Sequence, residues 1–165
     1  MDNGFCYQTP LGKIVLTENG SAITRLIFSE RLPEEVNCVE TPLLKKAVQE
    51  LREYFAGTRQ SFDLPLQPEG TDFQQKVWKA LQEIPYGAVC SYKDIARAIG
   101  NEKACRAVGG ANNKNPISII IPCHRVIGAN GSLVGYGGGL ELKRKLLELE
   151  KIGPAVIVIQ EAISE

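Results

Sequence analysis

The run Leu64-Pro65-Leu66-Gln67-Pro68-Glu69-Gly70 divides the 165-residue chain into a front and a rear half. Two prolines and a glycine so close together suit neither a helix interior nor a central strand, so the segment reads as a connection between two folding units. Before it, Phe5 to Phe28 alternates apolar and polar residues around the turn signals Pro10-Leu11-Gly12 and Asn19-Gly20, which predicts a small antiparallel meander of three strands. From Thr41 onwards Leu44, Ala47, Val48, Leu51, Tyr54 and Phe55 recur at helical spacing, and Gly57 lies just past the end. The expected fold class is mixed α/β (α+β), with a sheet-plus-helix domain over 1–68 and a helix-turn-helix domain over 69–165.

In the rear half, Thr71 and Gln74 have capping-box spacing, and Phe73, Val77, Ala80, Leu81 and Ile84 form one apolar face until Pro85-Tyr86-Gly87 stops the helix. Ser91 with Asp94 repeats the start signal for a short helix ending at Gly100, and Asn101 is placed to cap a further helix over about 102–112. Two short helices after a longer one have the outline of a helix-turn-helix. The second carries Gly109-Gly110, each costing roughly 1 kcal/mol relative to alanine; close approach of a DNA strand or of a neighbouring helix would explain the loss equally well. Ile117 to Ile121 reads as a buried strand leading to Pro122-Cys123. Asn130-Gly131, between Val126-Ile127 and Leu133-Val134, reads as a hairpin forming a wing, and Leu140 to Lys151 as a helix. The tail from Ala155 to Ile159 is strand-like.

No apolar run is long enough to span a membrane and the N-terminus lacks a signal-peptide layout, so a cytoplasmic location and no membrane partner are expected. Five cysteines without a C-x-x-C spacing, and a single histidine, argue for free thiols rather than a disulfide framework or a zinc site. The formal net charge is zero, yet residues 1–72 hold 7 Lys+Arg against 11 Asp+Glu, whereas residues 73–165 hold 12 against 8. A polyanion would therefore meet the rear half.

Free cysteine usually behaves as a small buried hydrophobe. Cys123 differs in setting: Pro122 precedes it, and His124, the only histidine, and Arg125 follow. A thiol is nucleophilic only as thiolate, which neighbouring cations favour. Adjacent residues of an extended chain point to opposite faces, so Cys123 and His124 can cooperate only across a turn or a bridging water.

The run Pro122-Cys123-His124-Arg125-Val126 follows Arg106-Ala107-Val108-Gly109-Gly110-Ala111-Asn112 and Asn115-Pro116, and precedes Tyr136-Gly137-Gly138-Gly139. With these motifs in order, residues 71–151 resemble the O6-alkylguanine-DNA alkyltransferases; the front half resembles the family loosely. The resemblance implies a ribonuclease-H-like first domain and a winged-helix-like second one. It implies single-turnover repair in which an alkyl group passes from O6-alkylguanine in double-stranded DNA to Cys123. His124 would take the thiol proton through a water, Glu150 would orient His124, and Asn115 would tie the DNA-binding helix to the cysteine segment. Arg106 would fill the stack left by a flipped nucleotide, and Tyr92 would press on the adjacent phosphate and donate to N3 of guanine. Ser91, Ala107, Gly109 and Arg125 would lie along the DNA. The carbonyls of Cys123 and Val126, the amide of Gly137 and the ring of Tyr136 would form the base pocket. A monomer without cofactor is implied, and with Cys6 and Cys38 alone in the front half, no metal. O4-alkylthymine is a further candidate substrate.

Each residue also has a structural reading: Tyr92 under the second helix, Arg106 in solvent, Glu150 paired with Arg144 or Lys151. Two rival functions remain. A lesion-binding module of the alkyltransferase-like kind would lack the cysteine, and a thiol hydrolase would turn over and ignore DNA.

Overall fold

A computed structural model describes residues 1–128 and 139–150 and separates the chain into two units. The first comprises residues 1–69 together with 116–120. Its strands β1 (Asn3–Thr9), β2 (Gly12–Glu18) and β3 (Ile23–Phe28) pair antiparallel as the turn signals require. Thr9 closes the β1–β2 turn by accepting from the Leu11 amide and donating to the Gly12 carbonyl, and Gly12 takes a φ of 126° that a side chain would resist. A two-residue strand β4 (Asn37–Cys38), absent from the sequence reading, pairs parallel to β1 and completes the order β3-β2-β1-β4. Helix α1 (Pro42–Phe55) starts where Thr41 caps the Leu44 amide, with proline in its first turn, and buries Leu44, Ala47, Val48, Leu51 and Tyr54. Together with Ile14, Val15, Leu16, Ile23 and Leu26 these residues make the core of this unit.

The Leu64–Gly70 segment contains the division between the units, at Glu69 and Gly70, and its first part is bonded to the first unit: the Ile23 amide donates to the Pro65 carbonyl and the Gln67 amide to the Ile23 carbonyl, so Leu66 lies as a parallel bridge on β3. Pro65 and Pro68 fit there because an edge leaves some amides outside the ladder. One expectation is corrected in this unit: Ile117 to Ile121 is no strand. Only Ile117 bridges β3, held by Leu26–Pro116 and Ser118–Leu26 backbone bonds, and the chain then turns sharply at Ile119 with a φ of 72°. A β-branched residue is rarely found at that dihedral, and the run's apolar character comes from burial, not from pairing.

The second unit comprises residues 70–115 and 121 onwards. Helix α2 (Asp72–Leu81) opens with the full Thr71–Gln74 capping box. Its Trp78 is buried, donates to the Ala111 carbonyl at 2.8 Å, and occupies the space a Cβ at Gly70 would fill. Strand β5 (Cys90–Ser91) leads into α3 (Tyr92–Ala98), whose N-terminus has the Ser91–Asp94 capping box. Gly100, at φ 80°, ends that helix, and α4 (Cys105–Asn113) follows. Helix α4 begins three residues later than read from sequence. Ala104 caps it without a side-chain bond, while Asn101 contributes only its carbonyl, to the Ala104 amide.

A 3-10 turn over Cys123–Arg125 runs into β6 (Val126–Ile127), which pairs parallel with β5, and α5 spans Leu140–Leu149. No helix among the described residues is long and apolar enough to cross a membrane. The Asn130-Gly131 wing, Tyr136, Gly137 and the tail lie outside the described residues.

Candidate active site

The sequence required a turn or a bridging water if Cys123 and His124 were to act together, and there is a turn. Pro122, at φ −81° and ψ 65°, sits in an inverse γ-turn closed by the Cys123 amide on the Ile121 carbonyl at 2.8 Å. The next bonds, Arg125 amide to Pro122 carbonyl and Val126 amide to Cys123 carbonyl, wind the 3-10 turn. Cys123, His124 and Arg125 are consequently buried on successive faces of one tight coil.

Two asparagines hold this coil in place. Asn115 donates its amide to the Ile121 carbonyl at 2.8 Å, and Asn112, on the inward face of α4, donates to the Cys123 carbonyl at 3.3 Å. Asn112 was missed in the sequence, although its spacing from Val108 puts it on the apolar side of its helix.

Glu150, at the C-terminal cap of α5, is 1% exposed and accepts from both sides. One oxygen meets His124 Nε2 at 2.7 Å, and the Arg125 fork spans both, Nε at 2.8 Å and Nη2 at 3.1 Å. Burial alone would raise the Glu150 carboxyl, but the hydrogen bonds and charges of His124 and Arg125 prevail and hold it at about 2. The His124 ring is held below its ordinary value. Burial lowers its pKa, the charges of Arg125 and Lys143 add to that, and the Glu150 bond works against them. A neutral ring beside an ionised carboxylate must donate from Nε2, which leaves the lone pair on Nδ1. That atom is buried and has no hydrogen-bond partner among the described residues.

Arg125 is a correction to the sequence reading. Instead of lying along DNA, its guanidinium is buried, with Nη1 on the Ile84 carbonyl at 2.7 Å and the planar group 5.8 Å from the Tyr86 ring centre. All three of its nitrogens are thus engaged inside the protein, two of them as a fork on one carboxylate. Glu150 does not pair with Arg144 either, which binds Glu141 and Glu148 on the exposed face.

The remaining predicted residues fall on the helix pair. Arg106, Ala107 and Gly110 are exposed on one side of α4, opposite Val108, Ala111 and Asn112. A Cβ at Gly109 would only touch the Tyr92 ring at 3.9 Å, and one at Gly110 would meet nothing within 4 Å, so crowding by the described chain does not explain the glycine pair. Ser91 uses its hydroxyl to cap α3. Tyr92 begins that helix, half-buried, with its hydroxyl pKa raised by burial and by the charge of Cys123. Val126 is buried, and its carbonyl accepts from the Lys143 ammonium. Cys90 is the counterexample among the thiols: burial and Asp94 push it up to about 12, away from reactivity. Among the described residues no group of histidine, cysteine and carboxylate side chains could hold a metal.

A thiol on a charge-supported turn behind a helix-turn-helix defines a class of protein that pairs nucleophilic chemistry with an exposed recognition helix. The chain matches two family models, 6-O-methylguanine DNA methyltransferase ribonuclease-like domain over residues 6–68 and the DNA binding domain of the same family over residues 72–152. The constitutive methylated-DNA–protein-cysteine methyltransferase of Bacillus subtilis is 50% identical over 153 residues, covering 88% of this chain and 93% of that protein. The Mycobacterium bovis methylated-DNA–protein-cysteine methyltransferase is 53% identical over 147 residues, covering 87% and 89%. Mycobacterium tuberculosis OGT in complex with DNA superposes with a TM-score of 0.84 at 47% identity, covering 95% of this chain and 98% of that one. The chain belongs to the 6-O-methylguanine DNA methyltransferase family.

Proposed function

We propose that this chain, a methylated-DNA–protein-cysteine methyltransferase acting in direct-reversal DNA repair, transfers the alkyl group of O6-alkylguanine irreversibly to its own Cys123. The observation that carries the reading is the 2.7 Å contact between His124 Nε2 and the buried Glu150 carboxylate: a ring that donates there carries its lone pair on Nδ1, one residue from the thiol on the same turn.

The thiol proton passes to Nδ1 through a water, and Glu150 steadies the imidazolium while it lasts. Sulfur then attacks the alkyl carbon, the carbon–O6 bond breaks, and the electron pair goes to the purine. Tyr92, kept protonated by its raised pKa, donates to N3 so that guanine leaves neutral. The carbonyls of Cys123 and Val126 accept from the guanine amine, and Tyr136 and Gly137, outside the described residues, are the further pocket residues that the family resemblance implies.

The target atom lies on a stacked base edge, so the nucleotide must be extruded at a cost of roughly a few kcal/mol. Arg106, exposed on α4, takes its place in the stack, and the uncrowded Gly109-Gly110 pair lets a phosphate strand approach the helix backbone. The thioether product is stable in water, so each molecule, a monomer on double-stranded DNA, acts once and requires no cofactor.

Intact-mass analysis after incubation with a duplex containing O6-methylguanine tests this. One CH2 is expected on the Cys123 peptide, at most once per molecule and absent in Cys123→Ala. Repair beyond one equivalent, or DNA binding without mass gain, would sink it.

A further inference from the structure

Strand β1 is paired along its whole length on one side and only at its start on the other. Every residue from Asn3 to Thr9 has a partner in β2, whereas β4 matches only Asn3 and Gly4. The Asn37 amide donates to the Asp2 carbonyl and the Val39 amide to the Gly4 carbonyl, after which the chain goes on into α1. Main-chain groups point to the two edges of a strand alternately, so those of Cys6 and Gln8 stand on the edge that β4 has left. Among the described residues no strand pairs with them there. Gln8 is exposed.

A bare edge is solvated by water and by itself calls for nothing. What lies beside this one sets it apart. At the Gln8 end a cavity of about 260 Å³ opens between β1 and α1, walled by Pro10, Val48, Leu51 and Phe55. Arg52 lines it too, exposed and without a hydrogen bond or ion pair among the described residues. Pockets that enclose a cofactor or a drug-sized ligand measure roughly 300–1,000 Å³, so this smaller one suits an apolar side chain or two. An extended peptide is the ligand class that uses every feature present. Its backbone pairs with the edge, an apolar side chain fills the cavity, and a carboxylate meets Arg52. Side chains of a strand share a face at every second residue, so the apolar and acidic residues would stand two apart.

We propose that the open edge of β1 and the adjoining cavity form a docking site for an extended segment of another protein. The segment adds a strand beside Cys6 and Gln8, places an apolar side chain among Val48, Leu51 and Phe55, and sets an aspartate or glutamate two residues away against Arg52. Main-chain bonds supply affinity, and the spacing of the apolar and acidic residues supplies specificity. The site uses none of the residues assigned to DNA or to alkyl transfer, and it does not depend on that assignment.

Heptapeptides of random sequence, displayed on phage and panned against the full chain, are the probe. Wild type is expected to enrich sequences with an apolar residue two positions from an aspartate or glutamate, and Arg52→Glu to enrich lysine or arginine at the second position instead. The most enriched peptide, synthesised with a fluorescein label, is then titrated by fluorescence polarisation. Gln8→Pro removes one edge amide and leaves the β2 ladder alone, and Ala56→Trp fills the cavity from its exposed rim. Each is expected to weaken binding about tenfold or more while unfolding as cooperatively as wild type. Methylating alternate peptide amides removes the same bonds from the other side, and serves if Gln8→Pro does not fold. One of the two alternating patterns is expected to abolish binding and the other to leave it. Absence of any enriched sequence overturns the proposal. So does a peptide that binds folded Gln8→Pro and Arg52→Glu as tightly as wild type, or that tolerates both methylation patterns. Self-association of the wild type in analytical ultracentrifugation that Gln8→Pro abolishes would assign the edge to a second copy of this chain and overturn it as well.

Discussion

Glu50 in the first unit and Glu150 in the second are both nearly closed to solvent, at 4% and 1% exposure, yet their surroundings differ in kind. Glu50 accepts from the Asp63 amide at 2.8 Å and pairs with Lys46 at 3.9 Å and Arg59 at 3.5 Å, two cations whose side chains remain 50% and 29% exposed. Water and salt reach those cations, so the cluster fastens a loop to α1 without coupling its charges tightly. Glu150 has its cation inside with it, and it also touches a histidine. Where the whole set is buried, moving one proton changes the energy of every other member. The comparison teaches that burial of a carboxylate does not make a site; burial of its partners does.

The sharpest way to break that comparison is a matched pair of substitutions. Glu150→Gln is expected to slow methyl transfer roughly 100-fold or more and to cost about 3 kcal/mol of stability, because Arg125 is left buried without its counterion. Glu50→Gln is expected to cost about 1–2 kcal/mol and to leave the single-turnover rate within about twofold of wild type. Single-turnover kinetics and denaturant unfolding read both; an equal slowing in the two would erase the distinction.

Arg125→Lys gives the next effect. A lysine cannot reproduce the fork on Glu150, so a loss of about 2 kcal/mol is expected. The dependence of duplex affinity on salt should stay as in wild type. A slope smaller by about one would return Arg125 to the phosphate backbone.

The smallest effect is acid sensitivity. Glu150 is ionised in the folded protein down to about 2 against an ordinary 4.5, so its stabilisation is complete above about 4.5 and fades as pH falls towards 2. His124 is held neutral, with its pKa lowered from 6.5, so its contribution too is present above that value and fades on acidification. The thermal midpoint should fall by several degrees between pH 7 and pH 2.5, at roughly 2–4 °C per kcal/mol. Glu150→Gln should flatten the lower part of that curve; an unchanged curve would mean the cluster is less tightly coupled than its geometry implies.

Local rules made much of this legible beforehand. Thr71 with Gln74 and Ser91 with Asp94 marked helix starts because a capping box is a contact between residues three apart. The three front strands followed from alternation and turns. Misreading came where a distant partner decided the outcome: Ile117 is bridged to β3, far away in sequence, and the residues after it turn away, so an isolated bridge was read as the start of a strand. Lys143 and Asn112 were missed because charge and amide groups were assumed to face water. Helical arithmetic held the signal, since Lys143, Leu146, Leu147 and Glu150 share one side of α5.

By itself, then, the sequence determined the starts of α1, α2 and α3, the meander and the motifs by which Cys123 stands out among the thiols, because these depend on neighbours or on motifs in a fixed order. Only the tertiary structure decided that His124 and Cys123 share a 3-10 turn, that Arg125 faces Glu150 rather than solvent, and that Lys143 reaches the Val126 carbonyl. Those are matters of which groups meet in a low-dielectric interior, and a pattern along one dimension does not encode them.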